Sequence, residues 1–200
     1  MSAEFLSGHR IIVALPEAPV PVLASACEVL AQERLRCWSL PVARVDELPD
    51  LRERFPHRAV LGVHGVRTDD QARAAEAAGA AFILSPVARA SLVAATSVPV
   101  ILGALTPTEI DAALEAGAAA VAIVPAEIQG SFLATSLVAL FPGAPLIPSG
   151  NLESFQVTEW WRQGAPAVHL TRVLTDLTRA NLGELRTTAR GWRQTSESVL

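Results

Sequence analysis

Short apolar runs rich in Val, Ile and Leu recur about every twenty residues along the chain. They are RIIVAL (10–15), RCWSL (36–40), AVLGV (59–63), AFILS (81–85), VPVIL (98–102), AVAIV (120–124), APLIP (144–148) and AVHL (167–170). Runs of this length without polar alternation suit parallel strands covered on both faces. The stretches between them carry helix punctuation. In TPTEIDAALEAG, Thr106 is placed to cap, Pro107 to take the first helical position, Glu109 to complete a capping box and Gly117 to close the helix in a left-handed conformation. TDDQARAAEAAGA repeats the scheme, with Thr68 or Asp69 as cap and Gly79 as stop. A last and longest helix is expected from about Leu174 to Trp192. Eight strand–helix alternations predict an α/β fold, a (β/α)8 TIM barrel, in a single domain spanning residues 1–200. A doubly wound open sheet is the alternative, because periodicity does not show closure.

Composition narrows the partners. Half of the 200 residues are apolar, enough for one large core. A formal charge of −4 without basic runs argues against nucleic acid and anionic membrane as partners, since both require clustered cations. No apolar run approaches the length of a membrane span. The N-terminal segment faintly resembles a signal peptide, but Glu17 and three prolines interrupt its apolar part, so it is read as part of the fold. Cys27 and Cys37 have no metal-type spacing and are expected as reduced core thiols of a cytoplasmic protein. All 16 basic side chains are arginine. The chain therefore has no side-chain amine with which to form a Schiff base.

In a barrel of this kind the chemistry lies at the carboxyl ends of the strands. Those positions hold Ser39, His64, Ser85, Thr106, Glu127, Ser149, His169 and Arg172. His64 and Glu127 are the candidate catalytic groups. His64 could be a base, a metal ligand or a hydrogen-bonded loop residue; Glu127 could be a catalyst or could favour the start of the next helix through its dipole. His169 lies within the last strand and could face outward against a helix or, as the less favoured reading, join the polar ring. Arg172 and Arg67 could clamp an anion, although Arg67 is better read as a solvated loop residue. Ser39, Ser85, Thr106, Ser149, Gly150 and Arg172 are the candidate ligand-binding set. No ligand pair at helical or turn spacing is present, so neither a metal nor another cofactor is expected.

The order of motifs resembles the 2-keto-3-deoxy-6-phosphogluconate (KDPG) and 4-hydroxy-2-oxoglutarate (KHG) aldolases. The resemblance is carried by VPVILGALTPTEIDAALEAGAAAVAIVPAE (98–127), with LGVHGV (61–66), ILSP (83–86) and IPSGN (147–151) in matching order. It implies a carbon–carbon lyase scaffold and a homotrimer. It also implies a Schiff-base lysine on the sixth strand and a proton-shuttling glutamate on the second, but those places fall on Ala122 and Ser39. The arginine after that glutamate falls on Ala43, with Arg44 one step on. At the phosphate turns, Asn151 replaces a glycine, Glu153 adds a negative charge, and LTR (170–172) replaces a glycine pair. Three readings follow. The first is a catalytically degenerate homologue binding a small anionic or keto-acid ligand at the barrel mouth. The second is an active lyase or enolising enzyme with metal- or acid/base-assisted chemistry. The third is a structural or assembly protein using Trp160 and Trp161 at an interface.

Overall fold

The computed structural model describes residues 4–128, 132–174 and 182–199. Eight parallel strands close into a barrel in sequence order. They are β1 (Ile11–Ala14), β2 (Cys37–Pro41), β3 (Val60–His64), β4 (Ile83–Ser85), β5 (Val100–Ala104), β6 (Ala120–Ile123), β7 (Leu146–Gly150) and β8 (Val168–Leu170). Closure is made where Ile11 pairs with Val168 and Ile12 with His169. Each strand falls within or beside the apolar run that predicted it. The open-sheet alternative is thereby excluded.

The outer ring comprises α1 (Val20–Gln32), α2 (Leu48–Arg54), α3 (Asp69–Ala77), α4 (Ala90–Ala94), α5 (Pro107–Glu115), α6 (Phe132–Leu140), α7 (Ser154–Arg162) and α8 (Leu182–Glu197). Thr68 and Thr106 both cap through full capping boxes, with Gln71 and Glu109 as the reciprocal partners. Gly79 and Gly117 follow at φ of 84° and 80°, a left-handed conformation that a Cβ disfavours. The final helix departs from expectation: it runs to Glu197, well past Trp192, and residues 170–174 are not helical. Residues 175–181, included in the expected helix, lie outside the described residues. The segment that mimicked a signal peptide supplies β1 and α1.

Two apolar layers hold the barrel. The larger lies between strands and helices; the smaller fills the interior with Ile12, Cys37, Phe82, Leu84, Ile101, Ala122 and Ile147. A short 3-10 turn, Glu4–Leu6, closes the amino end of the barrel by burying Leu6 against that interior layer. Phe82 can enter only because residue 62 is glycine, since a Cβ there would stand 2.4 Å from the ring. Both cysteines are buried free thiols, and burial raises the Cys27 pKa to about 12. Trp160 and Trp161 are each only 4% exposed, so neither offers the interface expected of them. Trp161 instead carries the Arg10 guanidinium over its ring at 4.5 Å. Alpha8 is fastened to the end of α1 through the buried Glu33 carboxylate, which Arg190 and Arg193 approach at 3.2 and 3.4 Å. Among the described residues no helix is long and apolar enough to cross a membrane.

Two glycines should respond oppositely to alanine. At Gly103 a Cβ would meet the Pro86 carbonyl carbon at 2.4 Å and the Ser85 carbonyl oxygen at 2.8 Å, both backbone atoms. Gly103→Ala should therefore lower unfolding free energy by about 1–3 kcal/mol in urea titrations. Gly191 lies within α8 with nothing near its missing Cβ, so Gly191→Ala should raise it by up to about 1 kcal/mol.

Candidate active site

Register fixes which strand residues share the interior. Ile12 pairs with both Cys37 and His169, Ser149 pairs with His169, and Ala122 pairs with Gly103 and Ile147. Side chains two residues apart on a strand share a face. Ser39, two residues beyond Cys37, thus points inward, as do Ser149 and His169 near the carboxyl end. The sequence leaves the facing of His169 open, with the outward direction favoured; its pairing with interior Ile12 places it inside.

These groups form a continuous polar chain in an otherwise apolar interior. The Ser39 hydroxyl lies 3.1 Å from His169 Nε2 and 2.9 Å from His64 Nδ1. His64 Nδ1 is also 3.1 Å from the Ser39 carbonyl oxygen. At the other end, the Ser149 hydroxyl lies 2.8 Å from His169 Nδ1. The two imidazole rings are 5.9 Å apart, centroid to centroid. Ser39, Ser149 and His169 are buried and His64 is half-buried. Hydrogen bonds among themselves offset the cost of enclosing four polar side chains.

Burial also sets their charge. Desolvation pushes the His64 pKa down to about 4, partly opposed by its bond to the Ser39 backbone. The His169 pKa falls to about 3, through desolvation first and then the neighbouring His64. Both rings are neutral near pH 7. The network is therefore polar and uncharged.

The remaining candidates are placed differently. Ser85 bonds within its own turn, its hydroxyl donating to the Val87 carbonyl at 3.0 Å. Thr106 is committed to the α5 cap. Arg44 forms an ion pair with Glu47, whose other oxygen accepts the Val20 N–H at 2.8 Å at the start of α1. Arg172 and Arg67 are exposed. Glu127 follows β6, and its carboxylate packs on Gly150, where an added Cβ would lie 1.7 Å from Oε2. That oxygen is buried without a hydrogen-bond partner among the described residues. The described residues contain no group of three or more potential metal ligands. Ala122 is wholly enclosed in the interior layer.

The chain is similar to known proteins in family, sequence and fold. A family model described as KDPG and KHG aldolase matches residues 44–184. A 2-dehydro-3-deoxy-phosphogluconate aldolase of Treponema pallidum (strain Nichols) is 34% identical over 105 residues, 50% of this chain and 50% of that protein. The chain thus spans about half the length of that curated relative. Among solved structures, a 4-hydroxy-2-oxoglutarate/2-dehydro-3-deoxyphosphogluconate aldolase from TTHB1 superposes with a TM-score of 0.80 at 28% identity, covering 96% of this chain and 97% of that one. A Legionella pneumophila KDPG aldolase, with pyruvate captured as a covalent carbinolamine, superposes with a TM-score of 0.82 at 19% identity, covering 94% and 96%.

The depressed histidines give stability a sign with pH. Their ordinary value is 6.5, and in the fold they titrate near 4 and 3. Below about pH 6.5 the unfolded chain takes up protons that the folded chain refuses, so stability is full above that value and falls as pH drops toward 4. Each histidine contributes up to about 1.4 kcal/mol per pH unit in that window. Urea unfolding from pH 7 to 4 should show this slope, and His64→Phe should flatten it; an unchanged slope would place the ring in water.

Proposed function

We propose that this chain, which belongs to the KDPG and KHG aldolase family, binds a small 2-oxo acid at the carboxyl mouth of its barrel without attaching it covalently. The observation that carries this reading is Ala122. At the place that the resemblance gives to the Schiff-base lysine stands a buried methyl group, in a chain whose basic side chains are all arginine. A guanidinium remains protonated and is no nucleophile toward a carbonyl. The place of the proton-shuttling glutamate is held by Ser39, already engaged by both histidines. The covalent carbinolamine belongs to the Legionella enzyme; here a 2-oxo acid would be held by hydrogen bonds alone.

Charge at the mouth favours a ligand without phosphate. Glu153 stands at the N-cap of α7, with Gln156 accepting its N–H at 2.9 Å. A carboxylate at that helix terminus competes with any phosphate for the same dipole. Exposed Arg172 remains for the ligand's own carboxylate.

A second reading, an enolising enzyme, is favoured by Glu127, whose buried and unpartnered Oε2 is placed to accept a proton. One experiment separates the two. In parallel incubations, pyruvate should give a saturable thermal shift, no deuterium at C3 in D2O, and no side-chain adduct by mass spectrometry after borohydride trapping. Exchange that disappears in Glu127→Gln would instead establish the enolising enzyme. In Ala122→Lys with Ser39→Glu, an adduct at residue 122 is expected; its absence in a folded variant would sink the assignment of those two positions.

The chain is further proposed to self-associate, as a trimer by the family resemblance. Ile128, Phe132 and Phe155, after β6 and at the starts of α6 and α7, are 65%, 79% and 65% exposed, a cost in water that burial in an interface removes. Light scattering should give an oligomeric mass that Phe132→Asp with Phe155→Asp reduces to the monomer; a monomeric wild type would exclude this.

A further inference from the structure

The hydrogen bonding of His64 decides which polar group of a ligand it can seat. Its Nδ1 faces two oxygens, the Ser39 hydroxyl at 2.9 Å and the Ser39 backbone carbonyl at 3.1 Å. A hydroxyl can accept or donate, but a carbonyl oxygen only accepts. Nδ1 must therefore carry the ring proton, because the reverse arrangement would set two lone pairs against each other at 3.1 Å. The carbonyl is itself fixed, since it also accepts the Leu15 N–H at 2.9 Å within the β1–β2 ladder.

In a neutral imidazole protonated at Nδ1, Nε2 presents a lone pair and no proton. Burial keeps the ring neutral. Among the described residues Nε2 has no hydrogen-bond partner, while Nδ1 is held on the buried side by Ser39. The ring's unengaged nitrogen is thus an acceptor only.

The rest of the chain is consistent with this polarity. With His64 donating, the wholly enclosed Ser39 hydroxyl is satisfied by donating to His169 Nε2, leaving His169 Nδ1 to donate to Ser149. The opposite direction would leave the Ser39 hydroxyl proton without an acceptor in the most enclosed part of the network.

We propose that His64 is a specificity-determining residue whose Nε2 accepts a hydrogen bond from a ligand hydroxyl and turns away carbonyl and carboxylate oxygens. Ser39 is the positioning residue that holds this tautomer through its backbone. The inference rests on the 2-oxo-acid reading, and adds to it the residue that would sense a hydroxyl. A ligand lacking one leaves Nε2 unpaired in the complex, and a ligand with an oxygen acceptor there meets it lone pair to lone pair.

The test is calorimetric and uses matched pairs of 2-oxo acids that differ by one hydroxyl: hydroxypyruvate against pyruvate, and 4-hydroxy-2-oxobutanoate against 2-oxobutanoate, at pH 7.5. The hydroxylated member of each pair should bind roughly three- to tenfold more tightly, and the ratio should fall to about one in His64→Phe, which keeps the ring's bulk without its nitrogens. Equal affinities within both pairs, or a preference that survives His64→Phe, would overturn the role of His64 while leaving 2-oxo-acid binding intact. No binding of any of the four would overturn both. Should His64→Phe not fold, nitrogen-15 NMR of the unaltered protein still decides, because the His64 ring must show a proton on Nδ1 and a bare Nε2. A proton on Nε2 would refute the proposal.

Discussion

Closure of the parallel ladder is the constraint from which the rest follows. Once β1 pairs with β8, the backbone groups of the paired strands find partners in their neighbours, and alternate side chains are committed to a shared interior from which water is largely excluded. Apolar side chains fill its lower part without further requirement. Polar ones at its upper end must satisfy one another. The Ser39, His64, His169 and Ser149 chain is the outcome: one histidine bridges two serines and the other shares Ser39. Enclosure that forces the bonds also removes the charge, because an imidazolium in that position would lose more hydration than its neighbours restore.

The mouth and the interior consequently have different electrostatic characters. Outside stand full charges, Arg172, Arg67 and Glu153, in contact with solvent. Inside is a chain of neutral dipoles. A class I aldolase site instead needs a buried amine able to lose its proton and a carboxylate to shuttle it. The family resemblance puts those groups at positions 122 and 39, which hold alanine and serine here, and the architecture of the family persists around them.

The strands were legible in the sequence because a parallel barrel demands unbroken apolar runs, and the two capping boxes because Thr106 with Glu109 and Thr68 with Gln71 are local devices. Side-chain direction was less so. His169 lies in a three-residue strand, too short for alternation to reveal its face. Its orientation became evident only from pairing with Ile12 and Ser149 across two neighbouring strands. The tryptophan pair misled for a related reason: adjacent residues on a helix point about 100° apart, yet α7 is covered widely enough to bury both. Ser85 and Thr106 occupy strand ends as expected, but their hydroxyls are taken up by their own turns. A residue type at a strand end does not show whether its polar atom is already engaged.

The contact between Glu127 and Gly150 links two positions far apart in the chain. Oε2 occupies space that any side chain at 150 would need, and Gly150 also adopts a φ of 153°. The two residues therefore form a single choice: either a carboxylate lies across the end of β7, or that strand end acquires a side chain of its own. Diversifying one position while holding the other fixed would sample mostly clashes, so a library aimed at giving this barrel a new ligand should treat residues 127 and 150 as one codon pair.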